Sequence, residues 1–165
     1  MLTAVPKSWL SWDFDIQDEH QQSIADVRLS NWLERGAISV PGMDCKVSRQ
    51  GLLGAFVLEQ EGSILAQAEK PNALRREFII KHNAKTYTLK AWTAFRRAMV
   101  LCEDEVVIGK LAPESFLSRR IRVELPVDMP LMLGLFVIWL TMVLWQRESG
   151  GPDPNLVGAN VGNLQ

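Results

Sequence analysis

Pro126-Val-Asp-Met-Pro-Leu-Met-Leu-Gly-Leu-Phe-Val-Ile-Trp-Leu-Thr-Met-Val-Leu-Trp-Gln-Arg147, PVDMPLMLGLFVIWLTMVLWQR, has no charged side chain between Asp128 and Arg147. From Leu131 to Trp145 only Gly134 and Thr141 interrupt a run of large apolar residues. Asp128 suits an N-cap, and Pro130 loses no needed hydrogen bond in a first turn. Gly150, Gly151 and Pro152 supply a stop. The stretch therefore reads as a helix over about 129–146 that is apolar on every side and must be buried on every side. Thirteen large side chains at roughly 1.5–3 kcal/mol each make its exposure to water cost about 20–40 kcal/mol gross.

Two surroundings can supply that burial. Eighteen residues at 1.5 Å each extend about 27 Å, close to a hydrocarbon core of about 30 Å. Lys110, Arg119, Arg120 and Arg122 precede the segment and only Arg147 follows it. A single-pass span would thus leave the N-terminal part in the cytoplasm as a β-domain serving as a complex subunit. The other surrounding is protein. An eleven-stranded can has room for a central helix, whereas an eight-stranded barrel is filled by its own side chains.

The remainder of the chain argues for the second. Its dominant period before residue 126 is two. In LSWDFDIQ, Leu10, Trp12, Phe14 and Ile16 share one face, and Ala25, Val27 and Leu29 alternate with polar neighbours in the same way. Three hairpins follow. AFVLEQ and SILAQAE flank Glu61-Gly62, EFIIKH and KTYTLKAW flank Asn83-Ala84, and RAMVLC and EVVIGKL flank Glu103-Asp104. In RRIRVEL, Ile121, Val123 and Leu125 share a face. About eleven strands can be counted, with Asn31–Arg35 as a short turn. The predicted organisation is an N-terminal extension over 1–8, a barrel over 9–147 and a flexible tail over 148–165. The fold class is mainly β, an antiparallel barrel of about 11–12 strands enclosing a C-terminal hydrophobic helix.

Composition fits one globular domain. The 165 residues are 47% hydrophobic and 22% charged, with a net charge of −1, which offers no global argument for nucleic-acid binding. Cys45 and Cys102 form no CxxC pattern and read as core thiols in a reducing compartment. MLTAVPKSWLSWDFD lacks the basic-then-apolar plan of a secretory signal, so the expected location is cytoplasmic, peripheral to a membrane.

Strands ending in RRIRVELPVDMPLMLGLFVIWLTMVLWQRE, preceded by YTLKAWTAFRRAMVLCEDEVVIGKLAPESF, resemble the C-terminal part of the tubby-like superfamily, which includes phospholipid scramblases and plant LURP-type proteins. The resemblance covers about residues 50–147 and is one of pattern. It implies a twelve-stranded barrel with the helix inside, and binding of anionic lipid head groups. Where scramblases usually carry an acidic calcium-binding stretch before the helix, this chain has SFLSRRIRVELP.

Catalytic signatures are missing from the sequence. There is no GxGxxG, P-loop, GxSxG or HExxH, so no enzymatic activity and no cofactor are expected. WDFDIQDEH, with Asp13, Asp15, Asp18, Glu19 and His20, lacks the glycine and terminal glutamate of a calcium loop and reads as a solvated strand and turn. His82 beside the Asn83 turn reads as a surface histidine. The candidate site is a set of arginine pairs, Arg75-Arg76, Arg96-Arg97 and Arg119-Arg120, which recur 21 and 23 residues apart at strand entries. Guanidinium groups bind phosphate oxygens through paired hydrogen bonds. Gathered at one rim, these pairs would bind anionic lipid head groups or a membrane surface, with a protein partner as the other candidate. Their local carboxylates Glu77, Glu114 and Glu124 would otherwise neutralise them.

Overall fold

Among the described residues, alternating apolar side chains give twelve strands, and the all-apolar run gives one helix. In a computed structural model that describes residues 1–30, 34–51, 54–71, 75–93, 97–115 and 118–148, the strands are β1 (Leu2–Pro6), β2 (Trp12–Gln17), β3 (Ser23–Leu29), β4 (Gly36–Val40), β5 (Met43–Arg49) and β6 (Phe56–Gln60). They continue as β7 (Ser63–Glu69), β8 (Glu77–His82), β9 (Lys85–Ala91), β10 (Met99–Glu103), β11 (Val106–Pro113) and β12 (Ile121–Glu124), followed by α1 (Leu131–Glu148). Each strand pairs antiparallel with its sequence neighbours. Pairing of β1 with β12, with Thr3 opposite Arg122, closes the sheet into a barrel.

Two boundaries differ from the sequence reading. Residues 1–8, expected to be an extension, contain β1, the strand that closes the barrel. Its partner β12 lies at the other end of the strand sequence, so no local pattern announces it. Leu10, expected on the inner face with Trp12, is exposed because β2 begins only at Trp12. The turn expected at Asn31–Arg35 falls largely on 31–33, and the tail from 149 onward also lies outside the described residues.

Turn chemistry explains why one end of the barrel is tight. Glu61 and Gly62 have φ of 48° and 84°, and Asp104 and Glu105 have φ of 48° and 65°. Positive φ at both central residues is the geometry of the two-residue hairpin that matches strand twist. The third hairpin thus turns at Asp104-Glu105, one residue later than expected. We call this end the turn rim. The opposite end, where β1 joins β2, β3 joins β4 and so on, has connections of five to seven residues and is the loop rim.

The helix enters at the turn rim and leaves at the loop rim. It starts two residues later than expected, with the Pro130 carbonyl accepting from Gly134 N–H at 3.1 Å. By length and composition α1 could cross a membrane. Here the barrel wall supplies the burial, and every residue from Leu133 to Trp145 is buried. Phe56 and Phe136 pack against Trp139, Phe56 edge-on at 5.3 Å between centroids, and Phe78 packs edge-on against Phe56 in turn. Polar atoms of the helix are satisfied by backbone. Trp139 Nε1 donates to Arg28 O at 3.0 Å, Trp145 Nε1 to Arg97 O at 2.9 Å, and Thr141 Oγ1 to Val137 O at 3.0 Å. Both cysteines are free and buried, and burial followed by the neighbouring Asp44 charge pushes the Cys45 thiol pKa up.

Gly36 is what lets Trp139 reach the wall. A Cβ there would lie 2.1 Å from Trp139 Nε1 and 2.2 Å from Arg28 O. Gly36→Ala is expected to displace the indole from its carbonyl and to destabilise the protein by about 2–4 kcal/mol, from overpacking plus a lost buried hydrogen bond. Urea unfolding checks this, and a loss under about 0.5 kcal/mol would mean that the wall yields at that point.

Candidate functional site

Antiparallel neighbours run in opposite directions, so even-numbered strands all start at the loop rim. Arg75 and Arg76 precede β8, Arg97 precedes β10, and Arg119 and Arg120 precede β12. With β9 and β11 interleaved, successive groups stand two strand spacings, about 10 Å, apart along that rim. Arg96 lies outside the described residues.

The two rims differ in charge. Turns at the turn rim (18–22, 41–42, 61–62, 83–84, 104–105 and 125–130) carry Asp18, Glu19, Glu61, Asp104, Glu105 and Asp128, and no lysine or arginine. The described residues of the loop-rim connections include Lys7, Arg35, Lys70, Arg75, Arg76, Arg97, Arg119 and Arg120, against Glu34 and Glu114 alone. The helix is aligned with this polarity. Its positive N-terminal end lies at the acidic rim and its negative C-terminal end at the basic one, the favourable arrangement for a helix dipole.

Part of the basic rim holds the helix exit in place. Glu34, only 13% exposed in its side chain, takes Arg49 NH1 at 2.8 Å on one oxygen and Arg147 Nε at 2.7 Å on the other. Arg76 pairs with Glu148, and Gln146 Nε2 donates to Ser30 O at 3.4 Å. The Arg97 guanidinium lies 5.9 Å above the Trp145 ring. Arg119 is engaged at the β1–β2 connection. Its NH1 donates to Trp9 O at 2.6 Å and Ser8 O at 3.3 Å, and its NH2 to Ser11 O at 2.6 Å. The same guanidinium stacks 4.7 Å from the Trp12 ring, and burial pulls its pKa down from the ordinary arginine value.

Two of the predicted arginines face water. Arg75 is 72% exposed in its side chain and 3.9 Å from Glu77; Arg120 is 52% exposed and 3.9 Å from Glu114. Exposed pairs at that separation are worth little and leave both cations available to a multivalent anion. Of the predicted neutralisers, Glu124 ends β12 at the turn rim, away from the arginines. Lys110 and Arg122 line a shallow pocket on the outer wall with Ala112, Pro113 and Glu124.

The other polar clusters are tied into local structure. Asp18 Oδ1 accepts from His20 N at 2.8 Å and Gln22 N at 2.9 Å, closing the β2–β3 turn, while Asp15 accepts from Gln17 and Ser23. Among the described residues, no three His, Cys, Asp or Glu side chains are grouped to hold a metal ion. His82 Nδ1 donates to Leu65 O at 2.8 Å.

Sequence reasoning missed one element of this rim. Trp9 and Leu10, 86% and 84% exposed, stand at the tip of the β1–β2 connection. Ser8 is the one signal of a turn there, since its Oγ accepts from Leu10 N at 3.2 Å. Compared with known proteins, the chain matches no family model, no curated protein and no solved structure.

Proposed function

We propose that the protein is a non-catalytic, tubby-like module that binds anionic membrane surfaces from the cytoplasmic side through its loop rim. The observation that carries this reading is the segregation of charge. A chain of net charge −1 has the described cations of its strand-to-strand connections at one end of the barrel and the carboxylates of its hairpin turns at the other. An anionic surface attracts the first and repels the second, so the barrel docks with its axis upright. Juxtamembrane cations contribute about 1 kcal/mol each near such a surface. In this reading Arg75 and Arg120 meet head groups, Arg97 stands between them, and Arg76 and Arg119 shape the rim from which they project. The tubby-like resemblance of the sequence supports the same ligand chemistry.

Sedimentation with phosphatidylcholine vesicles containing 30% phosphatidylserine (about 0.1 M salt) tests it. Arg75→Glu with Arg120→Glu is expected to weaken binding at least about thirtyfold. Lys85→Glu, on the turn rim, is expected to leave it unchanged. Equal binding by the native and double-variant proteins would remove the loop rim as the site.

A further inference from the structure

The loop rim is apolar at its tips as well as basic. Trp9 and Leu10 project side by side into water from the β1–β2 connection, and Trp92, also exposed, stands at the end of β9 on the same rim. Two adjacent large apolar side chains left more than four-fifths exposed do not serve the barrel core. The loop that carries them is nevertheless held firmly. Arg119 bonds the carbonyls of Ser8, Trp9 and Ser11, Lys7 N donates to Asp13 O at 2.8 Å, and Leu10 N donates to Ser8 Oγ. Such a loop presents its apolar pair in a set orientation, at low entropic cost on binding.

Both exposed tryptophans among the described residues, Trp9 and Trp92, thus stand at the end of the barrel whose connections carry the cations, whereas the exposed apolar residues of the turn rim, such as Val106 and Val127, include no aromatic ring. An aromatic ring next to cations suits the head-group layer of a bilayer, where one part of the site is apolar and the other wet.

We infer that Trp9 and Leu10 form an interfacial anchor that inserts into the head-group and upper acyl region of an anionic bilayer, with Arg119 as the residue that positions them. This rests on the membrane-surface reading and adds to it a salt-resistant component. Electrostatic attraction alone is screened as salt rises, whereas insertion of apolar area is not.

The experiment compares the full chain with Trp9→Ala/Leu10→Ser on phosphatidylcholine vesicles with and without 30% phosphatidylserine, at about 0.1 M and about 0.5 M salt. Because both side chains lie in water, the variant should unfold thermally at the same temperature as the native protein. It is expected to bind anionic vesicles at least about tenfold more weakly. At the higher salt the native protein should retain measurable binding and the variant none. A monolayer at constant area gives an independent reading, with a rise in surface pressure from the native protein and little from the variant. Salt-sensitive binding that is equal in both proteins would overturn the anchor and leave the charged rim standing. Absence of native binding to any vesicle would overturn both. Equal binding to vesicles lacking phosphatidylserine would show insertion without the electrostatic partner and overturn the anionic commitment.

Discussion

A chain truncated after Pro126 is expected to yield no folded protein, only aggregate or an expanded state. The twelve strands turn apolar faces inward, among them Phe14, Ile16, Ile38, Leu58, Phe78 and Leu89, each fully buried. The core they line is filled by the helix residues from Leu133 to Trp145. Removing these forfeits a gross burial of about 20–40 kcal/mol, against a usual net stability of about 5–15 kcal/mol. Twelve strands also enclose too wide a space for the wall to collapse onto itself. Circular dichroism and size-exclusion chromatography of the truncated chain decide the matter. A monodisperse, cooperatively unfolding product would show that the barrel stands without its filler.

Trp139→Asp should be nearly as damaging through a single side chain. The indole is fully buried, packed edge-on against Phe56 and stacked 6.4 Å from Phe136, with its N–H on Arg28 O. An aspartate there leaves a void and a carboxyl group with no cation nearby on the helix. The expected loss exceeds about 5 kcal/mol, enough to unfold the chain at neutral pH. Trp139→Phe separates the contributions, since it keeps most of the apolar contact and loses the hydrogen bond, for an expected cost of about 1–3 kcal/mol. Urea unfolding of both variants checks the order, and similar midpoints would place Trp139 outside the tightly packed core.

Much of this architecture could be read from local pattern, and its gaps have physical causes. A period of two over many short segments, with one helix apolar all round, fits a barrel with a filled centre because each solves the burial problem of the other. The tight hairpins were legible from Gly62 and Asn83, residues that tolerate positive φ; Asp104-Glu105 was displaced by one because glutamate is rarely asked to adopt it. Closure by β1 was hidden, since its partner is set by topology and not by neighbours. Alternation carried the inner face of β2 back to Leu10, but the strand starts at Trp12 and the residue beyond it is free to face water. The common rim of Arg75, Arg76, Arg97, Arg119 and Arg120 followed from strand direction alone. Their engagement did not, because Arg119 bonds carbonyls more than 100 residues away and Arg76 meets Glu148 at the helix exit. A net charge of −1 concealed the polarity of the barrel, because it adds the two ends together.

The helix that fills the barrel follows all twelve strands in the chain, and this sets the order of events at the ribosome. At about 5–20 residues per second, roughly 6–25 s separate the appearance of β1 from that of α1. Throughout that interval the nascent sheet has an uncovered apolar face, and β1 lacks the β12 edge it will join. Hairpins can form locally as they emerge, but neither closure nor a dry interior is possible until the filler arrives. The exposed face and open edge are what chaperones bind and what aggregating chains share. The decisive step in maturation of this barrel thus waits on its last element, and its yield in cells should depend on how long a partly built barrel can be kept apart from its neighbours.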